Sequence, residues 1–98
     1  MDDVIVHEPA PGHPPRLRIL LVDADERVRE SLAGLLAIGD QVQVVGSAGD
    51  AAGALALIPT ARPDVVVLDP RLPEVERGVA FIDAIRREAP GVRVLVMH

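Results

Sequence analysis

Two short apolar runs, each closing on an aspartate, constrain this chain more than any other feature. Leu17–Val22 reads LRILLV and stops at Asp23; Val65–Leu68 reads VVVL and stops at Asp69. Runs that are apolar at nearly every position suit strands buried on both faces, the condition of a parallel sheet covered by helices. Between them the period changes. Val28, Leu32, Leu35 and Leu36 recur at i, i+4, i+7 and i+8, which is one face of a helix from about Asp25 to Ile38. Asp23, Asp25 and Glu26 crowd its start, where the helix dipole favours negative charge, and Gly39 stops it. Val42, Val44 and Val45 mark a second strand over residues 43–47, and Ala51 to Ile58 predicts a helix bounded by Pro59 and Pro63. Phe81, Ile82, Ile85 and Ala89 mark a third helix ended by Pro90-Gly91, and Val92–Met97 is a fourth strand. Strand and helix alternate throughout. With short loops and right-handed crossovers, that order predicts an α/β fold: an open parallel sheet of four strands with helices on both faces.

Residues 16–98 form the expected domain. Residues 1–15 read as a disordered, solvated tail, because Pro9, Pro11, Pro14 and Pro15 cannot propagate a helix or a ladder. The tail has no basic start and no long apolar stretch, so it is not a secretory signal. Apolar runs such as Ile19–Val22 and Val65–Leu68 are four residues each, and the longest, Ala54–Ile58, is five. No membrane span is expected from them.

Composition removes several kinds of chemistry. Cysteine is absent, which excludes disulfides, thiolate catalysis and cysteine-held zinc. Lysine is absent, so a Walker-type phosphate loop cannot be built. Phe81 is the only aromatic residue and the net charge is −5, which argues against direct binding of nucleic acid by stacking or by phosphate contacts. The three histidines, His7, His13 and His98, lie in the tail and at the last position.

The acids that end the strands remain. In open α/β sheets, ligands bind beyond the carboxyl ends of the strands. If the first and third strands are neighbours, Asp23 and Asp69 converge there with Asp25 close behind. Such a cluster attracts a hard cation such as Mg²⁺, or offers a nucleophile to a phosphoryl donor. The alternative is that Asp23 or Asp25 caps the helix; Asp23 with Glu26 has capping-box spacing.

The four segments LRILLVDADERVRESLAGLL, VQVVGSAGDAAGALALI, RPDVVVLDPRLP and AIRREAPGVRVLVM resemble, in order, the CheY-like receiver domain of bacterial response regulators. The texture is closest to receivers that precede a LuxR-type DNA-binding module. The resemblance implies a strand order of 2-1-3-4 and a receiver lacking its last strand and last two helices. It also implies Asp69 as phosphoacceptor and Asp23, Asp25, Asp69 and the Arg71 backbone carbonyl as candidate Mg²⁺ ligands, binding weakly. Pro73 matches a family proline. Several positions depart from the pattern. Ala24 stands where the family has its second acid, His98 where it has Thr or Ser, Pro70 follows the acceptor directly, Gly78 falls one residue late, and the family lysine is missing. The resemblance therefore implies a cytoplasmic two-component module acting by contact, with impaired phosphorylation and no enzymatic turnover beyond self-phosphorylation at Asp69. The alternatives are a working phosphoreceiver and a remnant with little function. The implied partners are a histidine kinase or another receiver-containing protein. A homo-oligomer is expected, because the apolar fourth strand would be an open edge.

Overall fold

The computed structural model describes residues 16–72 and 80–97. Leu17–Val22 forms β1, Glu26–Leu36 α1, Val42–Ala48 β2, Ala51–Ala61 α2, Val65–Leu68 β3, Ala80–Glu88 α3 and Arg93–Val96 β4. The strands make one parallel sheet in the order β2-β1-β3-β4, as expected. The proline-rich segment, Pro73, Gly78 and His98 lie outside the described residues.

Alternation along the strands sorts side chains to two layers. Leu20 and Val22 of β1, with Val66 and Leu68 of β3, face α2 and α3; there they meet Ala54, Ile58, Phe81 and Ile85. Ile19, Leu21 and Val67 face the opposite way, toward Leu32, Ala33 and Leu36 of α1. The two layers are unequal. Among the described residues two helices cover the first face, whereas α1 alone covers the second and buries none of its residues fully. Val28, Leu32 and Leu36 are half-buried as the helical period predicted, but Leu35 is 65% exposed and Ile38, beyond the helix end, 82%.

The register between β1 and β2 slips once: Ile19 pairs with Val44 and Leu20 with Gly46, leaving Val45 unpaired. At Gly46 the two strands come close. A Cβ there would sit 3.2 Å from Leu20 Cδ1, so the position favours glycine by crowding.

The second helix corrects the sequence reading. Pro59 does not end it; the helix continues to Ala61 with the proline inside its last turn. A proline there forfeits one backbone hydrogen bond, but two other groups finish the turn. Arg62 takes the left-handed conformation, φ 48°, and its N–H donates to the Ile58 carbonyl at 2.9 Å. The Arg18 guanidinium, reaching over from β1, donates to the carbonyls of Ala61 at 2.7 Å and Arg62 at 3.1 Å. Cationic groups at a helix C-terminus satisfy orphan carbonyls and oppose the dipole.

Candidate functional site

The parallel register brings two aspartates together at the carboxyl edge of the sheet. Val22 pairs with Leu68, so the residues that follow, Asp23 and Asp69, leave adjacent strands side by side. Backbone bonds continue past both strands. The Asp23 N–H donates to Ala48 O at 3.0 Å and the Asp69 N–H to Val22 O at 2.9 Å. Both residues are deeply buried, at 2% exposure for Asp23 and 4% for Asp69. A buried carboxylate is costly unless hydrogen-bonded or paired.

The two carboxylates are satisfied in the same way on one oxygen. Asp23 Oδ1 accepts from the Asp25 N–H, and Asp69 Oδ1 from the Arg71 N–H, both at 2.9 Å and both two residues on. Their second oxygens differ. Asp69 Oδ2 accepts from Arg71 Nη2 at 2.9 Å and from Nε at 3.2 Å, while Nε also reaches Oδ1 at 3.0 Å. Asp23 Oδ2 has no hydrogen-bond partner; Arg71 Nη2 lies 3.9 Å from it, outside bonding range. The side-chain hydrogen bond from Arg71 holds the Asp69 carboxyl below its ordinary value, against the opposing pull of burial.

Of the acids singled out by sequence, Asp25 is used locally. It is the N-cap of α1 and its Oδ1 accepts from the Arg27 N–H at 2.9 Å. The capping alternative thus describes Asp25, and the capping-box spacing of Asp23 with Glu26 plays no such part. Ala24 is exposed beside them. Sequence reading missed two arginine side chains here. Arg29 ties α1 to the end of β1 through a 2.6 Å hydrogen bond to Asp23 O. Arg71 brings more than the carbonyl implied by the resemblance: its guanidinium forks onto Asp69.

The model of the response regulator receiver domain family matches residues 19–98. The chain belongs to this family. The receiver is 41% identical over 81 residues to the DNA-binding transcriptional activator DevR/DosR of Mycobacterium tuberculosis, covering 83% of this chain and 37% of that protein. It is 38% identical over 79 residues to a protein-glutamate methylesterase/protein-glutamine glutaminase of Agrobacterium fabrum, covering 81% of this chain but 22% of the relative. Among solved structures, the receiver domain of the response regulator NarL from M. tuberculosis superposes with a TM-score of 0.72 at 36% identity, covering 85% of this chain and 66% of that one. A LuxR-family response regulator from Aurantimonas sp. gives 0.73 at 35% identity, with coverages of 86% and 61%. The receiver therefore spans well under half of these curated relatives, and their DNA-binding and esterase activities are statements about those proteins.

Receiver domains interact with histidine kinases and other receivers, and generally bind Mg²⁺ at the phosphorylation site. The residues present here fit such a cation. Asp23 Oδ2 is a buried carboxylate oxygen with no hydrogen-bond partner, and Asp69 stands next to it. Mg²⁺ is held by one or two carboxylates while keeping several waters, so a set this small is sufficient in kind. Among the described residues no group of three or more His, Cys, Asp or Glu forms a metal cluster. No helix of the described residues is long and apolar enough to cross a membrane.

Proposed function

We propose that this receiver works chiefly by contact in a two-component phosphorelay in the cytoplasm, with Asp69 as a slow phosphoacceptor. The observation that carries the reading is the fork of Arg71 on Asp69, which engages both carboxylate oxygens. A bidentate guanidinium partly neutralises a nucleophilic carboxylate and shields both of its oxygens, so Arg71 has to move before Asp69 can attack. Ala24 in place of an acid points the same way.

When phosphotransfer occurs, an Asp69 carboxylate oxygen attacks the phosphorus of the donor. The bond to the donor's leaving group breaks and that group departs with the electron pair, leaving an acyl phosphate on Asp69. The Arg71 hydrogen bond, which lowers the Asp69 pKa, favours the carboxylate form that this step uses. Asp23, Asp69 and the Arg71 carbonyl would hold Mg²⁺, with Asp25 engaged at its cap. Bound there, the cation supplies charge neutralisation for the phosphoryl oxygens. The alternative, a fully working phosphoreceiver, draws support from Asp69 being intact at the end of β3 next to Asp23. Incubation with acetyl phosphate and Mg²⁺, followed by intact mass measurement, separates the two. Slow, substoichiometric gain of one phosphoryl group is expected. Rapid stoichiometric gain supports the working phosphoreceiver, and no gain at all reduces the protein to a contact module.

The contact surface follows from the uneven sheet. Arg93 and Met97 N–H groups bond toward β3, so the backbone of Val94 and Val96 faces outward at the β4 edge. Leu95 is 56% exposed there, on the face shared with α1. Among the described residues no strand pairs with the outer side of β4, and such an apolar edge is a template for another strand. The occupant proposed is a second copy, whose β4 presents the same backbone edge and the same leucine. Sedimentation at micromolar concentration is expected to show a dimer, and a compact monomer would overturn that assembly.

A further inference from the structure

The two acids at the sheet edge share an arrangement that has a use. Each carboxylate has Oδ1 pinned by the backbone N–H of the second residue on, and each turns Oδ2 toward Arg71 Nη2, at 2.9 Å from Asp69 and 3.9 Å from Asp23. The acids are buried, but the arginine side chain that bridges them is 73% exposed. Its guanidinium is therefore the outermost part of the cluster and leaves toward water without disturbing the core. Its departure does not undo the site, because the Arg71 N–H still holds Asp69 Oδ1 and the Asp25 N–H still holds Asp23 Oδ1.

The geometry points to Arg71 as a tethered counter-ion: its guanidinium and a divalent cation compete for the Oδ2 oxygens of Asp23 and Asp69, and only one of them occupies the site at a time. This rests on the reading of those two carboxylates as the cation-binding pair. The charges support exclusion. Two carboxylates and one guanidinium sum to −1, and the unpartnered Asp23 Oδ2 shows that Arg71 satisfies the pair incompletely. A divalent ion on the same two oxygens would lie within a few ångströms of the guanidinium, where like charges near a protein surface repel strongly. The ion that displaces the guanidinium also frees Asp69 from its fork, so cation binding and release of the nucleophile are one event.

The test is a Mg²⁺ titration of the wild-type protein, Arg71→Gln and Asp23→Asn, followed by nitrogen-15 NMR. In the wild type, the Arg71 Nε–H signal serves as a direct reporter of the fork and needs no variant. Removing the competing charge in Arg71→Gln is expected to tighten Mg²⁺ binding on the order of tenfold, and Asp23→Asn to weaken it. As Mg²⁺ saturates the wild type, the Nε–H signal should move from a carboxylate-bonded position to that of a solvated arginine. If Asp23→Asn weakens binding while Arg71→Gln binds no tighter, or the Nε–H signal stays put at saturation, the competition is wrong and the carboxylate pair stands. If no protein binds Mg²⁺, or Asp23→Asn has no effect, the carboxylate pair itself is wrong and the competition falls with it.

Discussion

Leu20→Ala is expected to lower the thermal midpoint so far that the variant melts while the wild type is still native. Leu20 has no solvent exposure and lies on the strand that pairs on both sides, between β2 and β3. It belongs to the larger core layer with Ala54, Ile58, Val66 and Ile85. Truncating such a leucine loses its transfer free energy and leaves a cavity, about 3 kcal/mol together. The total stability of a domain this size is on the order of 5 kcal/mol, so little would remain. For a domain of under a hundred residues the midpoint of thermal unfolding should fall by roughly 15 °C. Leu35→Ala provides the contrast. That side chain is 65% exposed on the lone helix, and its loss should change stability by no more than about 0.5 kcal/mol. Equal effects of the two substitutions, measured by circular dichroism, would contradict the assignment of the core.

Asp69→Asn is expected to abolish phosphoryl incorporation outright, since Asp69 is the proposed acceptor and an amide oxygen does not form an acyl phosphate. Incorporation that survives the substitution would remove Asp69 from the role. The same variant carries a pH signature. Arg71 lowers the Asp69 pKa from its ordinary 3.8. The pairing therefore contributes stability that is fully present above that value and is lost as pH falls through the lowered folded one. Asparagine does not titrate. The gap in denaturant midpoint between wild type and Asp69→Asn should be widest at neutral pH and narrow in strong acid. A gap that widened on acidification would mean that the fork does not stabilise the folded state.

The strands were legible because their burial leaves little freedom. LRILLV and VVVL are apolar on both faces, and the third strand falls on Val65–Leu68 as read. Helix ends were harder. Pro59 looked like a stop, yet the stop is set by Arg62 in a left-handed turn and by Arg18 arriving from 44 residues away. Long-range partners of that kind have no local pattern. At the acid site the positions of Asp23 and Asp69 followed from strand ends alone. The fork of Arg71 did not, because it depends on a rotamer choice that two carboxylates make favourable only once the sheet has brought them together. Leu35 was misread for a related reason: a helix period says which residues share a face, not how much sheet lies beneath it.

The thin cover on the α1 side has a consequence for local opening. With no fully buried side chain, α1 is held to the sheet by partly buried contacts alone, so its amides should exchange with deuterated solvent well before those of β1 and β3. Its first turn begins at Asp25, whose N–H holds Asp23, and its Arg29 holds the Asp23 carbonyl. Each transient opening of α1 therefore also unfastens Asp23. A ligand that braces this helix would slow those openings and keep the acid pair assembled for longer, so events on an outer helix would be felt at the carboxyl edge of the sheet.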